Sequence, residues 1–121
     1  MIPTTQVLCD ILNDPAIPAE AKPSGMRGND YVPRGEYVVD RDLDDDLVDY
    51  RTPVDTANAA LYWSLSAWLW ERGVFPRVEV HGSSAMCPWA KGMDYGLASR
   101  RTPVEALAAV VREVAGLGVK A

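Results

Sequence analysis

The sequence predicts an α+β fold: a small antiparallel sheet of two or three strands packed with two main helices, about 53–72 and 103–115, plus a short N-terminal helix. Three observations predict it. A Thr-Pro-Val-Asp start at Thr52 opens a long apolar stretch, and a Thr-Pro-Val-Glu start at Thr102 opens another. Between them, Val78 and Val80 alternate with Arg77, Glu79 and His81 at the strand period of two.

Taken in order, Thr4 or Thr5 caps a short helix through about Asn13, with Val7, Leu8, Ile11 and Leu12 on its apolar side. Pro15 ends it, because the residue before a proline is pushed out of the helical region. From Pro23 to Gly35 the chain is rich in turn residues and reads as a loop, either a surface connection or a binding loop. Glu36–Val39 reads as a short strand or extended lead-in. Residues 40–49 hold six aspartates against one arginine, with Leu43, Leu47 and Val48 at the spacing of a short amphipathic helix. A calcium loop does not fit this stretch. Asp45 stands where an EF-hand needs glycine, and Arg51 where it needs the bidentate glutamate.

The stretch Thr52–Arg72 carries three of the four tryptophans. Thr52 fits an N-cap, Pro53 the first helical position and Asp55 a capping box, while Gly73 supplies the stop. Val54, Ala57, Leu61, Leu65, Trp68 and Leu69 form one face, and Ala59, Trp63, Ala67 and Trp70 a second. The first face is expected in the core, on the small sheet beside the Thr102-capped helix. The second needs another cover, from the N-terminal segment or another chain. Gly82–Ser84 marks a turn, Ala85–Lys91 a return strand interrupted by Pro88, and Tyr95–Ala98 a third strand. In the last helix Val104, Leu107, Ala108, Val111 and Val114 face inward, Glu105, Arg112 and Glu113 face water, and Gly116 and Gly118 end it.

The 121 residues make one domain, with residues 1–41 as an N-terminal helix and loop-rich extension, 42–116 as the α/β core and 117–121 as a tail. A net charge of −5 and a pI near 4.7 argue against direct nucleic-acid binding and leave open a partner with a basic surface. Asp55, Asn58, Glu71 and Arg72 interrupt any membrane-spanning run. The N-terminus lacks a basic region followed by an apolar run, so a cytoplasmic location is expected. Cys9 and Cys87 are expected to be free thiols. His81 with Cys87, or with Ser83 or Ser84, would make a catalytic pair only within hydrogen-bond reach, and the spacing does not establish that. No metal-ligand or phosphate-binding pattern is present in the sequence, and no cofactor is expected.

The segments Asp42–Val48, Thr56–Ala60 with Trp63, and Thr102–Leu107 resemble the opening motif, first sandwich helix and closing helix of the phage ABA sandwich domain family. The resemblance covers about 42–116 and implies a small α/β phage or prophage protein. It transfers no catalytic residues. The resulting expectation is a non-enzymatic accessory protein that binds a host protein or complex, inhibiting a defence complex in the anti-CRISPR manner through an acidic surface. Its candidate contacts are Asp42, Asp44, Asp45, Asp46, Asp49, Trp63, Trp70, Trp89 and Tyr95. Alternatives are a homo-oligomeric scaffolding protein, for instance a homodimer through the second face of the long helix, or a small ligand-sequestering protein using His81, Cys87 and the Pro23–Gly35 loop.

Overall fold

The computed structural model describes residues 2–28, 30–42 and 51–119. The elements run α1 Thr5–Asn13, a 3-10 turn Ala19–Ala21, β1 Tyr31–Arg34, β2 Tyr37–Asp40, β3 Arg51–Pro53, α2 Val54–Glu71, β4 Glu79–His81, β5 Ser84–Lys91, β6 Asp94–Arg100 and α3 Pro103–Val119. The fold is α+β, with two three-stranded antiparallel sheets, β1-β2-β3 and β4-β5-β6. The first sheet is an addition to the expected architecture. Its strand β1 occupies the end of the segment read as a loop, because Pro33 and Gly35 look like breakers. Pro33 is tolerated because β1 is an edge strand.

Three hairpins share one turn solution. Gly35, Gly82 and Gly92 each open a two-residue loop at φ near +60°, and among the described residues no other residue type has positive φ. Positive φ at the first central residue alone is the type II′ pattern, whose twist suits a tight hairpin. The turn also sets the hydrogen-bond phase, because the residues that close a two-residue loop form a bonded pair. In the β5–β6 hairpin that pair is Lys91 with Asp94, so Trp89–Gly96 and Cys87–Ala98 are bonded pairs and Pro88–Leu97 is not. Pro88 therefore takes no N–H from this ladder. Its other side lies beyond β4, which pairs only with Ser84–Met86.

The two Thr-Pro starts diverge. At α3, Thr102 Oγ1 accepts from the Glu105 N–H at 3.4 Å and bonds the Glu105 carboxylate at 2.8 Å. At α2 the expected Thr52 cap is absent. Thr52 lies in β3 opposite Val38, Pro53 is the cap residue without a side-chain bond, and the Val54 N–H is satisfied by the Glu36 carbonyl at 2.8 Å. Sheet pairing has taken the residue that local chemistry assigns to a cap. The far end of α2 closes as a Schellman turn: Gly73 at φ +76°, its N–H on the Trp70 carbonyl and the Val74 N–H on the Leu69 carbonyl.

α3 is the most enclosed element. Val104 and every residue from Ala106 to Val111 are buried, as is Val114. One side of α3 packs on β5 and β6, another on α2. α2 packs mainly on α3, as expected, and otherwise on α1, the 3-10 turn, β2 and β3 rather than on the β4-β5-β6 sheet; Leu61, Leu65 and Trp68 are buried. The N-terminal segment belongs to the same core: Leu8, Cys9, Leu12, Ile17 and Ala21 are buried in it. α3 also continues through Gly116 to Val119 rather than stopping near 115. A helical glycine costs about 1 kcal/mol relative to alanine but does not break a helix whose Leu117 still packs on the core.

The charged residues of α3 face other parts of the chain rather than water alone. Glu105 holds its own cap, Arg112 Nε donates to the Asp14 carboxylate, and Glu113 accepts from the Trp89 indole N–H at 2.8 Å. Asp14 also accepts from the Ala16 N–H, and its backbone carbonyl accepts from Lys22 Nζ. Burial alone would raise the Asp14 pKa. The bonds from Ala16 and Arg112, with the Arg112 and Lys22 charges, outweigh it and lower the value from 3.8.

Two predictions follow from this architecture. Thr102→Ala lowers unfolding stability by about 1 kcal/mol in urea denaturation, whereas Thr52→Ala, lacking a cap to lose, costs less. Asp14 stabilises the fold fully above its unfolded value of 3.8, and that contribution is lost as pH falls through the lower folded value. The stability gap between wild type and Asp14→Asn, measured by urea midpoints across pH, therefore narrows below pH 3.8 and stays constant from there to neutrality.

Candidate functional site

The long helix α2 leaves one face to solvent. Trp63 and Trp70 are separated by seven residues, which is two helical turns, so both emerge on the same side. They are 64% and 43% exposed, with ring centroids 6.0 Å apart at an interplanar angle of 76°, an edge-to-face pair. Exposed Ala59 and half-buried Ala67 lie on the same face, one turn from Trp63 on either side. Neither the N-terminal segment nor any other described part of the chain covers the two indoles. Just past the end of α2, Phe75 is also largely exposed. By contrast Trp68, on the opposite face, is buried, with the Arg72 guanidinium 3.7 Å over its ring.

A second apolar surface lies on the outer face of the β4-β5-β6 sheet. Strand alternation sends Ala85, Cys87 and Trp89 inward against α3, and Met86, Pro88 and Ala90 outward. Register places Leu97 beside Pro88 and Tyr95 beside Ala90 on that outer face. Tyr95 and Leu97 are exposed, as is Met93 at the hairpin tip.

Trp89 departs from its expected role as an exposed anchor. It is 7% exposed, and its indole spans Gly96 to reach Glu113. A Cβ at Gly96 would lie 2.6 Å from the indole nitrogen, so glycine is the residue that lets this ring lie flat across its neighbour. The hint in the sequence is spacing: Trp89 and Gly96 stand symmetrically about Gly92-Met93 once that pair is read as a two-residue turn.

Of the acidic candidates, only Asp42 lies within the described residues. It is exposed, and its N–H donates to the Asp40 carboxylate at 3.1 Å. Asp44, Asp45, Asp46 and Asp49 lie outside them. Tyr31, in the former loop, is buried, and its hydroxyl accepts from the Gly28 N–H at 2.8 Å. Burial raises the Tyr31 pKa, the Gly28 bond opposes this, and the charges of Asp40 and Asp42 add to the rise. Met26 is buried as well. The Pro23–Gly35 segment is thus anchored to the core at Met26 and Tyr31, while Ser24, Gly25, Arg27 and residues 33–35 are exposed.

The candidate catalytic groups are not brought together. His81 is on the outer face of β4, 3.3 Å from the Glu79 carboxylate, and Ser84 Oγ donates to the His81 backbone carbonyl rather than to its ring. Cys87 points to the opposite face of the sheet, under α3. Cys9 and Cys87 are both free and buried, and burial pushes each thiol up to about 11, with the Asp10 charge contributing at Cys9. Such thiols are poor nucleophiles at neutral pH. Among the described residues, no group of three His, Cys, Asp or Glu side chains converges as metal ligands would, and no helix is long and apolar enough to cross a membrane.

Compared with protein-family models, with curated proteins and with solved structures, the chain matches none.

The Trp89–Gly96 arrangement yields a direct expectation. Gly96→Ala forces the indole or the backbone to move and destabilises the fold by about 1–3 kcal/mol, as overpacking does. Its signature is a shift in the indole N–H resonance of Trp89, the donor to Glu113, with those of Trp63 and Trp70 unmoved.

Proposed function

We propose that this protein acts by docking on another protein, with the Trp63–Trp70 face of α2 as its apolar anchor and the acidic stretch 40–49 as the element that selects a basic surface. The observation that carries the proposal is the exposed tryptophan pair. Tryptophan is the residue type most enriched at binding hot spots, and two of them held edge to face on a rigid helix lose little conformational freedom on docking. Asn58, Ser64 and Ser66 sit among the apolar residues of α2, so the helix is not simply greasy. Its exposed apolar surface is concentrated at the two indoles. The net charge of −5 and the run of aspartates favour a partner with a positive surface, such as a protein whose own ligand is nucleic acid.

The likeness of Asp42–Val48, Thr56–Ala60 and Thr102–Leu107 to the phage ABA sandwich domain family supports placing this activity in a phage or prophage. There, occupying a host defence complex by steric block or nucleic-acid mimicry is the fitting role. Binding without catalysis is the proposed mode, a reading supported by the separation of His81 and Ser84 from Cys87 across the sheet.

The test is affinity capture of host proteins from a bacterial lysate with three baits. These are wild type, Trp63→Ser/Trp70→Ser, and Asp44→Asn/Asp45→Asn/Asp46→Asn. A basic partner retained by wild type should bind the tryptophan variant about thirtyfold or more weakly, the loss of a hot spot worth roughly 2 kcal/mol. The aspartate variant should bind more slowly, with a flattened salt dependence. Equal capture by all three baits removes the proposal, and affinity unchanged across a salt titration removes nucleic-acid mimicry.

A further inference from the structure

We infer that the free edge of β6 is a strand-docking site for an extended segment of another protein, one carrying an acidic residue followed six positions later by a basic one. The inference stands independently of the tryptophan face and is tested separately from it.

The edge is open by construction. β6 spans Asp94–Arg100 at one side of its sheet, and no described strand pairs with its outer side. The hairpin phase set by Lys91–Asp94 commits the backbone groups of Gly96, Ala98 and Arg100 to β5. Those of Tyr95, Leu97 and Ser99 therefore point to the free edge. The Arg100 guanidinium donates to the Ser99 carbonyl at 2.7 Å, as an outward carbonyl permits. The other exposed edges of this sheet are blunted. β4 has three residues and follows Pro76, and the part of β5 beyond β4 carries Pro88. β6 has seven residues and no proline, and its charged side chains, Asp94 and Arg100, stand only at its two ends.

Charge and shape define what fits. Asp94 makes no ion pair among the described residues, with Lys91 standing opposite it across the hairpin, and Arg100 bonds only its neighbouring carbonyl. Both lie on the helix side of the strand, at its two ends. An antiparallel segment bonded to Tyr95, Leu97 and Ser99 places its first residue opposite Arg100 and its seventh opposite Asp94, so an acid first and a base seventh complete both pairs. Its second, fourth and sixth residues lie on the outer face beside Ser99, Leu97 and Tyr95, where Leu97 and Pro88 favour a β-branched residue at the centre. On the helix side, a groove lined by Val7, Asp10, Ile11, Arg100, Glu105 and Arg112 adjoins the Arg100 end of this edge.

The probe is a blocked heptapeptide, ETAVATK, added to the full-length protein at up to millimolar concentration. Amide exchange by NMR should show Tyr95, Leu97 and Ser99 fast in the free protein, against slow Gly96 and Ala98, and newly protected with peptide. The charge-reversed peptide KTAVATE should bind about tenfold more weakly at low salt, since both end pairs become like-charged. The doubly swapped protein Asp94→Arg/Arg100→Asp should invert that preference. N-methylation of the central valine, which deletes the N–H aimed at the Leu97 carbonyl, should abolish binding with no change to the protein. Fast exchange that persists at saturating peptide, equal binding of the N-methylated peptide, or indifference to charge order would each overturn the inference. Trp63→Ser/Trp70→Ser should bind ETAVATK as wild type does, which separates this edge from the α2 face.

Discussion

The structure depends on one helix being covered on two sides. α3 lies between α2 and the β4-β5-β6 sheet, and from Ala106 to Val111 it has no exposed side. Small residues make this geometry available: Ala106, Ala108 and Ala109 let neighbouring elements approach closely, while Leu107, Val110 and Val111 fill the space between. Each of the larger side chains gains about 1.5–3 kcal/mol from full burial. A helix so enclosed can keep polar groups only at its margin, and there each charged side chain is used. Glu105 closes the helix start, Arg112 joins it to the turn after α1, and Glu113 joins it to β5 through Trp89. The N-terminal segment is thereby part of the same body as the C-terminal helix, although Asp14 and Arg112 lie 98 positions apart in sequence.

That arrangement explains why α2 is left half uncovered. The central position has been taken by α3, so α2 needs only the face that carries Ala57, Leu61, Leu65, Trp68 and Leu69. Its other face has no structural partner within the described chain. A tryptophan pair held in water gives up burial that would stabilise the monomer, and an exposed apolar cluster of this kind marks an interaction surface more often than a packing accident. The exposure of this face of α2 is therefore a consequence of how the core is assembled as well as of its composition.

Much of this was legible in the sequence. The two-faced pattern of α2, which sets Trp63 and Trp70 apart from the Leu61, Leu65 and Trp68 face, and the α3 capping box follow from local periodicity and local hydrogen-bonding chemistry, which operate over a few residues; whether another element covers the two indoles does not. What could not be read was set at a distance. Thr52 has the same neighbours as Thr102, yet pairing with Val38 turned one into a strand residue and left the other a cap. The β1-β2-β3 sheet was hidden because Pro33 and Gly35 are breakers in isolation, and only strand order shows that one sits on an edge and the other in a II′ turn. The centrality of α3 was missed because its alanines read as neutral spacers, and close approach is a property of the elements that face them.

The four tryptophans show the same limit at the level of single residues. Composition marks all four as candidate anchors, and helical or strand spacing separates Trp68 from Trp63 and Trp70. Nothing local separates Trp89 from Tyr95, six residues on. The difference arises when the turn at Gly92-Met93 fixes the register: it brings Gly96, which has no side chain, opposite Trp89 on the helix side and Ala90 opposite Tyr95 on the outer side. The indole then has both a space to lie in and an acceptor, Glu113, at its polar end, so burial costs it no hydrogen bond. Tyr95 receives neither and stays in solvent. One two-residue turn thus decides which aromatic of the hairpin stabilises the fold and which remains available at its surface.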